Sequence, residues 1–189
     1  MNTLSTRKFL AKWIAVNLAS VFLAIGFYIP ISNLFPPDEP LHKGIAGSIL
    51  GLGFGIGQWL LMRNHIKKSG RWILFTLLGF AVAGTAVGFG TTEDLELRGL
   101  TTETIGFVLG ASVGLFQWAA LLRSVKHAYL WIPASIFGFG LGWWLMWSID
   151  LGYAYEDPRG LLIGMLFLLI PFVGITGLTL RWLLITRLD

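Results

Sequence analysis

The chain has 189 residues, 55% of them hydrophobic and 13% charged, with a net charge of +4 and no cysteine. Soluble domains carry about 25% charged residues, so this composition points to a membrane protein and away from a water-soluble enzyme. The missing cysteines exclude disulfides, thiolate metal sites and cysteine chemistry.

Six apolar runs approach the ~20 residues that a bilayer-crossing helix needs. In chain order they predict spans over about Trp13–Ile31, Gly44–Met62, Trp72–Gly88, Ile105–Leu122, Tyr129–Ile149 and Leu161–Thr186. The first run follows a basic flank, as a signal peptide would. It is long enough to span, however, and opens on a tryptophan that recurs later, so it reads as the first helix.

Eleven of the 14 basic residues collect on one side of these spans: Arg7, Lys8, Lys12, Arg63, Lys67, Lys68, Arg71, Arg123, Lys126, Arg181 and Arg187. Lys43, Arg98 and Arg159 lie on the other. By the positive-inside rule both termini are cytoplasmic. No basic stripe with interleaved aromatics exists outside the inner loops, so no nucleic-acid partner is expected.

Trp13, Trp72 and Trp131 are 59 residues apart. Each is followed by Ile, then four residues on by Asn17, Thr76 or Ser135, and seven on by Ser20, Gly79 or Gly138. Trp59 and Trp118 each come 46 residues after the tryptophan opening their unit, and Trp182 comes 51 after Trp131. The expectation is an all-α integral membrane domain over residues 1–189, built as three tandem two-helix repeats (about 13–71, 72–130 and 131–189).

In this arrangement the six tryptophans form one belt at the inner face, where amphipathic rings are favoured. Gln58 and Gln117 lie one step deeper, within reach of Asn17, Thr76 and Ser135 on the outgoing helices. Arg181 replaces the glutamine in the third unit, and its guanidinium can extend to the inner headgroups. Gly47, Gly51 and Gly55, and likewise Gly106, Gly110 and Gly114, recur every four residues on the returning helices. They form bare strips for close helix packing or for a partner subunit. The third unit keeps Gly174 but has Leu178 at the next position, and Pro171 should bend that helix. Gly57 falls off the strip, so leucine there is expected to matter less than at Gly51 or Gly110.

The outer loops repeat a charge pattern. Asp38 and Glu39 precede Lys43; Glu93 and Asp94 precede Arg98; Glu156 and Asp157 precede Arg159. Two readings stay open: locally paired, solvated loop charges, or a ring around an outer cation site. No zinc motif, nucleophile elbow or Walker loop occurs, and the three histidines fall in loops or at helix ends. No metal or cofactor is therefore expected. No ionisable residue lies near mid-span, which disfavours ion-coupled transport.

The Gly-x3-Gly-x2-Gln-Trp ending and the Trp-Ile-x2-polar opening resemble repeats in small uncharacterised bacterial membrane proteins, cyanobacterial ones among them. That resemblance implies a bacterial inner or thylakoid membrane and no known activity. The expected role is a non-enzymatic accessory or scaffold subunit that packs against a membrane partner or holds a lipid-like ligand. The alternative is a small-solute transporter or channel component using the outer charged ring.

Overall fold

In an apolar medium each backbone N–H and C=O must be paired within its own segment, so long apolar runs become helices. The computed structural model describes residues 5–32, 40–66, 69–90, 102–121, 125–148 and 158–186. They form six α-helices: α1 (Thr6–Ser32), α2 (Pro40–Met62), α3 (Arg71–Gly90), α4 (Thr102–Leu121), α5 (Trp131–Ser148) and α6 (Pro158–Thr186). A short 3-10 turn over Ala128–Leu130 leads into α5, after His127 turns the chain with a left-handed φ of 59°. There is no strand among the described residues.

The helix limits follow local chemistry. Proline is favoured at the first position of a helix, where its missing N–H has no partner to lose; Pro40 opens α2 and Pro158 opens α6. Helix α1 starts at Thr6, seven residues before Trp13, because nothing between them breaks a helix. α6 continues through Pro171 as one element.

Each helix packs on the helix before and after it, and α6 returns to α1, so the six close into a ring. The α2–α3 contact is the most extensive and the α1–α6 contact among the slightest. Glycines on α2 let α3 approach its backbone. A Cβ on Gly51 would stand 2.8 Å from the Leu77 Cα, and one on Gly55 would stand 3.0 Å from the Ile73 Cα. Gly47 abuts the Phe80 carbonyl. On α4, Gly110 and Gly114 would meet the Ile136 Cα at 2.8 Å and the Ser135 Cβ at 2.9 Å, and Gly106 abuts Trp143. Gly174 has nothing within 4 Å. Close backbone approach reaches α6 through glycines of α5 instead: a Cβ on Gly138 would stand 3.1 Å from the Phe172 Cα, and one on Gly142 would stand 3.1 Å from the Leu168 Cα.

Within the first two hairpins one hydrogen bond is made in opposite senses. Ser20 Oγ of α1 donates to the Gly53 carbonyl of α2 at 3.0 Å, whereas Ser112 Oγ of α4 donates to the Gly79 carbonyl of α3 at 2.9 Å. Serine and glycine have exchanged helices between positions 59 residues apart.

The distribution of side chains is the reverse of a water-soluble bundle. Asn17, Gln58, Thr76, Gln117, Ser135 and Thr176 are buried, while Phe22, Leu52, Leu74, Leu115, Phe137 and Ile170 are exposed. Four helices, α2, α4, α5 and α6, are long and apolar enough to cross a membrane, and α3 holds a shorter apolar helix over Arg71–Ala86. Length, apolarity and the exposed apolar faces together mark an integral membrane protein whose outer surface contacts lipid.

Candidate functional site

The N-terminal parts of α1, α3 and α5 bring three tryptophans to the centre of the ring. Trp13, Trp72 and Trp131 are each at most 1% exposed. The Trp131 ring stands edge-on to the other two, at 5.4 Å from Trp72 and 6.3 Å from Trp13. Here the structure departs from the belt expected of the sequence. The outgoing tryptophans face one another inside the ring. Of the returning ones, Trp59 and Trp118 are half-buried and Trp182 is exposed.

A buried indole N–H needs an acceptor, and the glutamines supply it. Trp131 Nε1 donates to Gln117 Oε1 at 2.9 Å. Gln117 Nε2 donates to Thr76 Oγ1 at 3.0 Å and to Gln58 Oε1 at 3.2 Å. Gln58 Nε2 donates to Asn17 Oδ1 at 2.8 Å, and Asn17 Nδ2 to the Trp13 carbonyl at 2.7 Å. Trp72 Nε1 joins at Gln58 Oε1, 2.9 Å away. An amide suits this position because it carries two donors and an oxygen with two lone pairs; Gln58 Oε1 accepts twice and Gln117 Nε2 donates twice.

The third corner is built differently. Trp13 Nε1 reaches Thr176 Oγ1 on α6 at 3.4 Å, and the Thr176 hydroxyl donates to the Phe172 carbonyl. All six helices thus contribute to one polar set. Ser135, in register with Asn17 and Thr76, is fully buried, and its Oγ has no hydrogen-bond partner. Arg181 stands where the glutamine would face it, and is half-buried. Ser135→Ala is accordingly expected to be neutral, or to stabilise by up to about 1 kcal/mol by removing an unsatisfied hydroxyl. Thr76→Ala, which removes the nearer of the two acceptors of Gln117 Nε2, should destabilise. Thermal unfolding of the two variants in one detergent checks the opposite signs.

Above the tryptophans lies a second aromatic layer. Phe54 stacks on Phe80 at 5.4 Å, Phe80 meets Phe139 at 5.8 Å, and Phe139 and Phe172 are 4.1 Å apart. All four are buried. This layer and Thr176 are absent from the sequence expectations. Phe80 and Phe139 are 59 residues apart and were discoverable by the repeat. Thr176 was not, because Gly53 and Ser112 hold its position, six residues before the returning tryptophan.

Among the outer charges, Asp38, Glu39, Glu93, Asp94, Arg98, Glu156 and Asp157 lie outside the described residues. Lys43 is in the first turn of α2 and half-buried; Arg159 lies in the first turn of α6. No protein-family model, no curated protein and no solved structure matches this chain.

Proposed function

We propose that the chain is a non-enzymatic membrane subunit of six spans in three two-helix repeats, with both termini cytoplasmic. It packs against a membrane partner or holds a lipid-like ligand. One observation carries this reading: the interior of the ring is occupied by two aromatic layers and by polar groups that bond to one another. Solute passage needs a polar path, and the side chains that would form it are engaged in tying helices together. What remains available for interaction is the apolar outer surface, where Leu, Ile and Phe side chains stand exposed on every helix.

The repeat is supported by hydrogen bonds that recur at equal spacing. Gln58 to Asn17 and Gln117 to Thr76 each link residues 41 apart, and Trp72 to Gln58 and Trp131 to Gln117 each link residues 14 apart.

The test is cation flux in proteoliposomes. Purified protein is expected to leave permeability to potassium and to small organic cations at the level of protein-free vesicles. Flux above that background, abolished by Glu93→Gln with Asp94→Asn, would replace this reading with a transporter using the outer acids.

A further inference from the structure

Between α1 and α2 the outer face of the ring opens into an apolar groove of about 400 Å³, running from Val16 to Phe27 on one helix and from Ile49 to Leu60 on the other. Its volume is within the range of small-ligand sites, ~300–1,000 Å³. At 1.5 Å rise per residue the α1 wall is about 16 Å long, close to the depth of one hydrocarbon leaflet, about half of 30 Å.

The groove is open because of particular small residues. Gly57 and Gly53 form part of its α2 wall, and Val16 and Ser20 part of its α1 wall. Fifty-nine residues further along, Phe75 and Phe116 occupy the places of Val16 and Gly57, and their rings approach to 6.4 Å between α3 and α4. The same hairpin geometry is therefore filled in the second unit and left hollow in the first.

Charge distinguishes the first groove as well. Lys12 lies one turn inward of Val16, and Arg63 lies three residues beyond Leu60, so both fall at the inner mouth on the groove side of their helices. Both are exposed. The Arg63 guanidinium sits over the Trp59 ring, 5.6 Å from its centroid, which holds the cation at interfacial depth. A second groove of about 420 Å³ lies between α5 and α6. There Leu130 and Thr186 stand in the corresponding positions and offer no charge.

We infer that the α1–α2 groove is a binding site for an anionic glycerophospholipid of the cytoplasmic leaflet. One acyl chain lies in the groove, and the phosphate is held between Lys12 and Arg63. Apolar walls of leaflet depth match the chain, and the two cations match the headgroup. The site specifies the lipid-like ligand of the reading above and rests on it.

The experiment uses the full chain in nanodiscs of equal phosphatidylglycerol and phosphatidylcholine, extracted in mild detergent, with retained lipid read by native mass spectrometry. The wild-type protein is expected to retain phosphatidylglycerol over phosphatidylcholine by roughly tenfold, given two cations near one headgroup. Lys12→Gln with Arg63→Gln should bring that ratio to about one, and because both residues are exposed this variant keeps the fold. Val16→Phe, Ser20→Gly, Gly53→Ser and Gly57→Phe together install the residues of the second hairpin. That variant should lose retention of both lipids. A wild-type ratio near one, or a ratio unchanged in the double glutamine variant, overturns the site. Such a failure would leave a flux-free protein unaffected, whereas flux in proteoliposomes would overturn the subunit reading whatever the lipid ratio.

Discussion

Leucine at Gly51 or Gly110 is expected to lower the stability of the detergent-solubilised protein by at least about 3 kcal/mol, the upper end of ordinary overpacking. At both positions even a Cβ meets backbone: the Leu77 Cα at 2.8 Å for Gly51, and the Ile136 Cα at 2.8 Å for Gly110. Backbone cannot rotate aside as a side chain does, so α2 must separate from α3, or α4 from α5. These are the contacts that join one hairpin to the next. Gly174→Ala is the control. Nothing lies within 4 Å of its Cβ, and leaving glycine favours a helix by roughly 0.5–1 kcal/mol, so the variant should be unchanged or slightly more stable. Equal unfolding temperatures for all three would mean that the strips do not hold the ring together. At Gly57 leucine is expected to matter less, as the four-residue spacing implies. This glycine is off the strip, and its Cβ would meet Ser20 Oγ and Val16 Cγ1 of α1 at 2.7 Å. Side-chain ends give way more easily than backbone.

Gln58→Leu is expected to cost about 2–4 kcal/mol. Three hydrogen bonds end on this side chain, from Trp72, from Gln117 and to Asn17. Bonds between membrane helices average about 0.6 kcal/mol, which sums to roughly 2. The larger figure includes the cost of leaving buried partners unsatisfied. Gln117→Leu removes the bonds to Thr76, to Gln58 and from Trp131 and should cost a similar amount. Because the two amides bond to each other, the double variant should cost less than the sum of the singles. Additive losses in chemical or thermal unfolding would show that they act separately. A single loss below about 0.5 kcal/mol, the level of an ordinary surface substitution, would show that the network is incidental to folding.

These two sets of residues were legible in the sequence to different degrees. That Gln58 and Gln117 would seek Asn17, Thr76 or Ser135 could be read beforehand, because a polar residue inside an apolar run needs a partner and these lie at the same depth. Which partner each takes, and that the two amides bond to each other, could not. Nor could the burial of Trp13, Trp72 and Trp131. Tryptophan suits a headgroup belt and a bundle core equally well, and helices apolar on all sides carry no moment that tells inside from outside. The glycine strips showed which residues permit close approach but not which helix approaches. Gly174 kept its register without its contact, since about five extra residues and Leu178 alter the third unit. Thr176 replaces a missing glutamine through a position that no repeat comparison would choose. The open groove at Val16 and Gly57 was written in the sequence as a departure from Phe75 and Phe116, but it had meaning only once the two hairpins were known to pack alike.

The way the chain crosses the membrane sets which end of each helix faces the cytoplasm. The native sequence has no cysteine, so single cysteines at Ser69, Asp189, Pro40 and Leu95 can be probed in intact cells with a membrane-impermeant thiol reagent. Six spans with cytoplasmic termini place Pro40 and Leu95 outside and Ser69 and Asp189 inside. The expected result is labelling at Pro40 and Leu95, with labelling at Ser69 and Asp189 only after the membrane is permeabilised. Labelling of Ser69 in intact cells would contradict the arrangement.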